Sequence, residues 1–117
     1  MTITYATAKK LKEFLGALSP KPIEDKYWYD HEKEPFLGTL ESYKPYFKGI
    51  PAYSLEDLLS KPFCEALALK IWPANGILYS KESRKILVKE LSVNMHSAYY
   101  DGGMEAVEKA LVEMIGK

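Results

Sequence analysis

Two histidines, a single cysteine and a few clustered carboxylates are the side chains of this 117-residue sequence from which a reactive centre could be built. Asp30, His31, Glu32 and Glu34 place oxygen and nitrogen donors within five positions. A zinc site draws three or four ligands that converge from different elements. Neighbours in one short stretch seldom converge alone, and the other histidine, His96, is remote in sequence. The stretch therefore reads as a charged turn, and no metal ligand is assigned. His96 stands four residues before Tyr100 and close to Tyr99 and Asp101, an outline of an acid–base cluster. Pairs at that helical spacing ordinarily pack against each other, so no catalytic residue is assigned either. No Gly-x-Ser-x-Gly elbow and no glycine-rich phosphate loop occurs, and Gly102-Gly103 stands alone, which leaves no cofactor site. Cys64 sits among Phe63, Ala66 and Leu67, the setting of a core residue. With no second thiol there is no disulfide, and a reducing cytoplasm is the expected compartment.

Two further groups suggest binding. Lys81, Arg84, Lys85 and Lys89 lie within nine residues, and on a helix Lys81, Lys85 and Lys89 form a row able to track phosphates. With helical pieces near 55–60 and 61–71 this gives the outline of a helix-turn-helix, although residues 72–80 make too long a spacer for the usual tight turn. Tyr43, Tyr46 and Phe47 lie in a stretch punctuated by Pro45, Gly49 and Pro51, where rings are held on a stiff loop. Aromatic side chains dominate many interfaces, so these three are the candidate partner-binding residues. Tyr53, just before Ser54, is expected to be structural.

Elements must position these groups. Thr4 or Thr7 can cap a helix whose core stripe is Ala8, Leu11, Leu15 and Leu18, stopped by Pro20 and Pro22. Lys26–Tyr29 has strand composition, and Phe36 to Tyr43 is a candidate return strand. Pro45, Gly49 and Pro51 interrupt the chain up to Tyr53, leaving a small sheet or a long ordered loop. Ser54-Leu-Glu-Asp57 has the form of a capping box. Ser60-Lys-Pro62 then restarts a helix over about 61–71, with Phe63, Leu67 and Ile71 on one face. Residues 76–80 suggest a strand. From Lys81 to Tyr100 the stripe Leu87, Val88, Leu91, Met95, Ala98 and Tyr99 favours a helix over a hairpin strand. Asp101-Gly102-Gly103 is a joint before a last helix with Val107, Ala110, Leu111 and Met114 inward and Glu105 four residues before Lys109. The fold class is α+β: three to five helices around a small sheet, one domain over residues 1–117.

Composition narrows the function. Sixteen basic and sixteen acidic residues cancel, whereas proteins that wrap nucleic acid usually carry a basic excess. The most apolar stretch, Ala66–Trp72, contains Lys70 and is too short to span a bilayer. The first ten residues lack an apolar signal region. Nine tyrosines suit half-buried sites and interfaces.

Pro51-Ala-Tyr-Ser-Leu-Glu-Asp-Leu-Leu59 and Ala98-Tyr-Tyr-Asp-Gly-Gly103, followed by a closing amphipathic helix, resemble small uncharacterised proteins of prophages and mobile elements of gut bacteria. The resemblance spans about the second half of the chain and carries no functional residues across. It implies a cytoplasmic bacterial or phage setting, in which many short proteins act by binding a host or phage protein. The leading expectation is a non-enzymatic protein-binding domain that engages a protein partner or itself. A nucleic-acid-binding regulator using Lys81, Arg84, Lys85 and Lys89 comes second, and a small enzyme third.

Overall fold

Thr4 is extended and caps the first helix, α1 (Tyr5–Leu15), in the computed structural model, which describes residues 2–30, 34–40, 48–71 and 81–116. Its hydroxyl oxygen accepts from the Thr7 backbone N–H, as an N-cap should. Ala8, Leu11 and Leu15 are buried along one face. The helix tightens into a 3-10 turn at Gly16–Leu18 and is over by Ser19. That turn rotates Leu18 off the expected stripe, and it is left exposed rather than in the core.

A three-stranded antiparallel sheet follows, with β1 (Lys26–Tyr29) central between β2 (Phe36–Thr39) and β3 (Gly49–Pro51). Tyr29 pairs with Phe36 on one side and Gly49 on the other. Gly49 and Pro51, which the sequence suggests as breaks, instead form an edge strand. Proline is acceptable there because one side of the strand carries no ladder partner. Alternation along β1 sends Trp28 one way and Tyr27 and Tyr29 the other. Trp28 packs with the helices, its ring meeting Tyr5 edge-on at 6.1 Å and its indole N–H donating to the Ile3 carbonyl at 3.0 Å. Tyr29 stacks on Phe36 at 5.6 Å and donates its hydroxyl to the Thr39 carbonyl at 2.8 Å.

Two short connections bind sheet to helices. Ile3 donates its backbone N–H to Tyr53 at 2.9 Å, and Thr2 bridges Ser54. Ser54 then caps α2 (Leu55–Leu59) in a full capping box with Asp57. Ser60 breaks the chain with extended backbone, and α3 (Lys61–Ile71) starts at once with Pro62 in its first turn. α4 (Lys81–Ile115) is a helix throughout residues 81–102, which settles the helix over the hairpin strand. At Gly103 the backbone leaves helical geometry (φ 72°, ψ −162°), and the helix resumes in a second arm. A positive φ of this kind strains any residue with a Cβ. Leu91 and Met95 from the first arm and Met104, Val107 and Leu111 from the second are buried with Phe63, Leu67 and Leu58 in one core. Tyr99, expected inward, lies at the margin of that stripe and is exposed, and Glu105 and Lys109 form no ion pair. The α+β class, with four α-helices and one small sheet among the described residues, is as the sequence suggests. The candidate strand at 76–80 lies outside the described residues.

Candidate binding groove between α2, α3 and α4

Asp57 sets the geometry of the helix pair that forms one wall of the groove. Its carboxylate is buried and accepts from the Ser54 backbone N–H at 2.9 Å, the Ser54 hydroxyl at 3.0 Å and the Ile23 backbone N–H at 2.7 Å. These donors hold a buried charge that would otherwise be costly. Tyr53 precedes the cap, is buried as expected, meets Phe63 edge-on at 5.1 Å and donates its hydroxyl to the Pro20 carbonyl at 2.7 Å. Burial pushes that hydroxyl well above the usual tyrosine range. Cys64 is fully buried one turn into α3; its thiol faces the Leu58 carbonyl at 3.4 Å and burial pushes it up to about 11.

The break at Ser60 bends α2 against α3, and the first arm of α4 runs alongside. The Ser92 hydroxyl donates to the Leu59 carbonyl at 3.2 Å and pins the arm to the C-terminus of α2. Between them lies a groove of about 540 Å³. Among the described residues, Leu59 and Val88 supply its apolar lining, and Lys61, Arg84, Lys85 and Lys89 supply cations beside the carboxylate of Glu65. Lys61 reaches Glu65 at 3.7 Å. Lys85 and Lys89 form no ion pair among the described residues. They are exposed like charges four residues apart, an arrangement that costs a helix roughly 0.2–0.5 kcal/mol. An anion in the groove would relieve that repulsion.

Of the basic residues singled out by the sequence, Arg84, Lys85 and Lys89 come together here. Lys81 opens α4, but its side chain lies outside the described set. Lys61, Glu65, Leu59 and Ser92 had no signal of their own, since Lys61 is brought to the row only by packing across more than twenty residues of chain. Tyr43, Tyr46 and Phe47 lie outside the described residues, as do His31 and Glu32. Asp30 and Glu34 are exposed, and among the described residues no group of three or more metal-ligating side chains comes together. His96, Tyr99, Tyr100 and Asp101 are exposed on α4 and take no part in the groove. No helix among the described residues is long and apolar enough to cross a membrane.

Comparison with known proteins finds no match: no family model, no curated protein and no solved structure matches this chain significantly.

Proposed function

We propose that the protein is a non-catalytic binding module of a bacterial or phage cytoplasm, and that its groove between α2, α3 and α4 takes an acidic, partly apolar segment of a partner protein. The observation that carries this reading is the described part of the lining: Lys61, Arg84, Lys85 and Lys89 beside Glu65, around Leu59 and Val88. Apolar side chains reward burial of a partner's apolar residues, and the cations select carboxylates beside them. A phosphate backbone needs the cations but gains little from the apolar lining, and Glu65 opposes it. The neutral charge balance of the chain favours the protein partner as well. Tyr43, Tyr46 and Phe47 belong to this proposal as a second contact region, on their composition alone.

The second reading, nucleic-acid binding, is favoured by one observation, that Arg84, Lys85 and Lys89 of α4 all line the groove. One experiment separates the two. Random peptides are selected by display on the wild-type protein, and the enriched peptides and a single-stranded oligonucleotide are titrated by fluorescence anisotropy. Enriched sequences that combine Asp or Glu with Leu or Phe, and that bind the Lys85→Glu/Lys89→Glu variant on the order of tenfold or more weakly, are the expected result. Oligonucleotide binding at physiological salt, lost in the same variant, would install the second reading. Peptides without acidic residues, or indifferent to the variant, would remove the groove from the account.

A further inference from the structure

The two apolar stripes of α4 are out of phase. At ~100° per residue, the centre of Met104, Val107 and Leu111 falls ~170° around the helix axis from the centre of Leu91 and Met95. All five are nonetheless buried in one core. The turn at Gly103 reconciles them: laid straight, the 35 residues would run ~52 Å, beyond the 46 Å long axis of the molecule. The two arms dock on different parts of the chain. The first lies along α2 and α3, where Ser92 donates to the Leu59 carbonyl. The second lies along α1, where Glu108 accepts from the backbone and hydroxyl of Thr4. Between these dockings only Gly103 leaves helical geometry, and its φ 72° with ψ −162° is a combination essentially confined to glycine. A Cβ on Gly102 would come within 2.8 Å of the Ala106 Cβ, against roughly 5–6 Å between Cβ atoms four residues apart on an uninterrupted helix. The kinked form therefore requires both glycines, and a straight helix requires neither.

We infer that α4 straightens at Gly103 and exchanges its second arm with a second copy of the chain, each arm docking on the other copy's α1. A short joint in a constrained conformation is the setting in which such exchange arises. The occupant is fixed by the structure. The surface uncovered when the second arm leaves is the one that arm already fits, with Met104, Val107 and Leu111 inward and the Glu108 carboxylate at the cap of α1. The phase of the stripes supplies the geometry. In a straight α4 the first arm faces its own α2 and α3, and the second arm faces the opposite side, where the body of the other copy lies. The two helices then cross at Gly102 and Gly103, where the missing side chains permit close approach. Exchange preserves the contacts of both arms, so the balance is set by the entropy of association against the release of the joint. The described groove residues lie on α2, α3 and the first arm, so each copy keeps its groove. The exchanged dimer offers two grooves on one body, which raises avidity for a partner that repeats its segment.

Sedimentation velocity and half-filtered nuclear Overhauser spectra test this. Wild-type chain refolded from urea at high concentration should yield a dimer that returns slowly to monomer on dilution. Gly103→Ala suits the straight helix and strains the kinked one, so it should tighten the dimer on the order of tenfold or more with the helical circular dichroism retained. A short Gly-Ser insertion after Gly103 lets the arm reach its own α1 without the kink and should abolish the dimer. In a dimer of one isotope-labelled and one unlabelled chain, the Thr4–Glu108 contact should appear between chains, whereas in the monomer it lies within one. Wild type and Gly103→Ala monomeric at every concentration, or a dimer in which Thr4 and Glu108 still meet within each chain, would overturn the inference. The exchange does not rest on the groove reading. An exchanged dimer indifferent to acidic peptides would remove the groove and leave the exchange, and a permanent monomer that binds them would do the reverse.

Discussion

Asp57 ties two separate pieces of chain through one carboxylate: the Ser54 cap, by its backbone N–H and its hydroxyl, and the backbone of Ile23 in the segment that leads to β1. Removing it leaves those donors without an acceptor in a buried place. Asp57→Ala should lower the unfolding free energy by about 2–4 kcal/mol in urea titrations, well above the ~1 kcal/mol of an ordinary cap. A loss below 1 kcal/mol would show that the Ile23 contact contributes nothing. Gly49 is constrained in another way. A Cβ there would come within 3.0 Å of the Tyr29 ring and 3.1 Å of the Tyr27 Cβ. Both rings are held in the sheet, so Gly49→Ala should cost about 1–3 kcal/mol, the range for overpacking. Thermal unfolding followed by circular dichroism checks it. Tyr27 and Tyr29 show why a high tyrosine count is no direct sign of a partner: with Tyr53 they are structural fillers whose rings are buried inside this chain.

At the scale of elements, α4 is unusual because one helix is asked to turn a corner. Gly103 supplies the positive φ, and the open space around its missing Cβ means that conformation, not crowding, is what a substitution would strain. Gly103→Ala should destabilise by roughly 1–2 kcal/mol without a clash. The second arm is also held to α1, because Glu108 accepts from both the backbone N–H and the hydroxyl of Thr4, at 2.7 and 2.8 Å. A carboxylate at the N-terminus of α1 is favoured by the helix dipole. Glu108→Ala should therefore cost about 1 kcal/mol, and hydrogen exchange should show faster opening of the first turn of α1 with little change in α3.

Across the whole molecule, stability must depend on pH through groups that folding keeps neutral. The Cys64 thiol ionises near 9.0 when unfolded and near 11 when folded. Between those values the unfolded chain releases a proton that the folded chain retains, so rising pH favours unfolding. Tyr53, also raised by burial from its ordinary 10.0, adds to the same slope. Stability measured in urea should fall as pH climbs from 9 to 11, and Cys64→Val should flatten part of that fall. Below pH 9 neither group contributes to the slope. The same burial makes native Cys64 slow toward a thiol reagent and the unfolded chain fast; equal rates in both states would remove Cys64 from the core.

The sequence by itself determined what local chemistry controls. The cap at Ser54, the restart at Lys61-Pro62, the strand at Lys26–Tyr29 and the inward stripe of Leu91 and Met95 are each written within a few residues of where they act, whereas the sequence offered Thr4 or Thr7 as the first cap and the structure chose Thr4. Periodicity also sufficed to choose helix over hairpin for residues 81–100, because a stripe sustained for several turns outweighs a short alternation. Only the tertiary structure decided what depends on partners distant along the chain. Pro51 became an edge strand because β1 needed a second neighbour. Leu18 left its stripe because a 3-10 turn changed its angle. The basic group Lys81, Arg84, Lys85 and Lys89 was legible as charge, but its meaning was not: Lys61, Glu65 and Leu59 turn a helix face into a groove, and they arrive from α2 and α3 through packing that no spacing within residues 81–89 could encode.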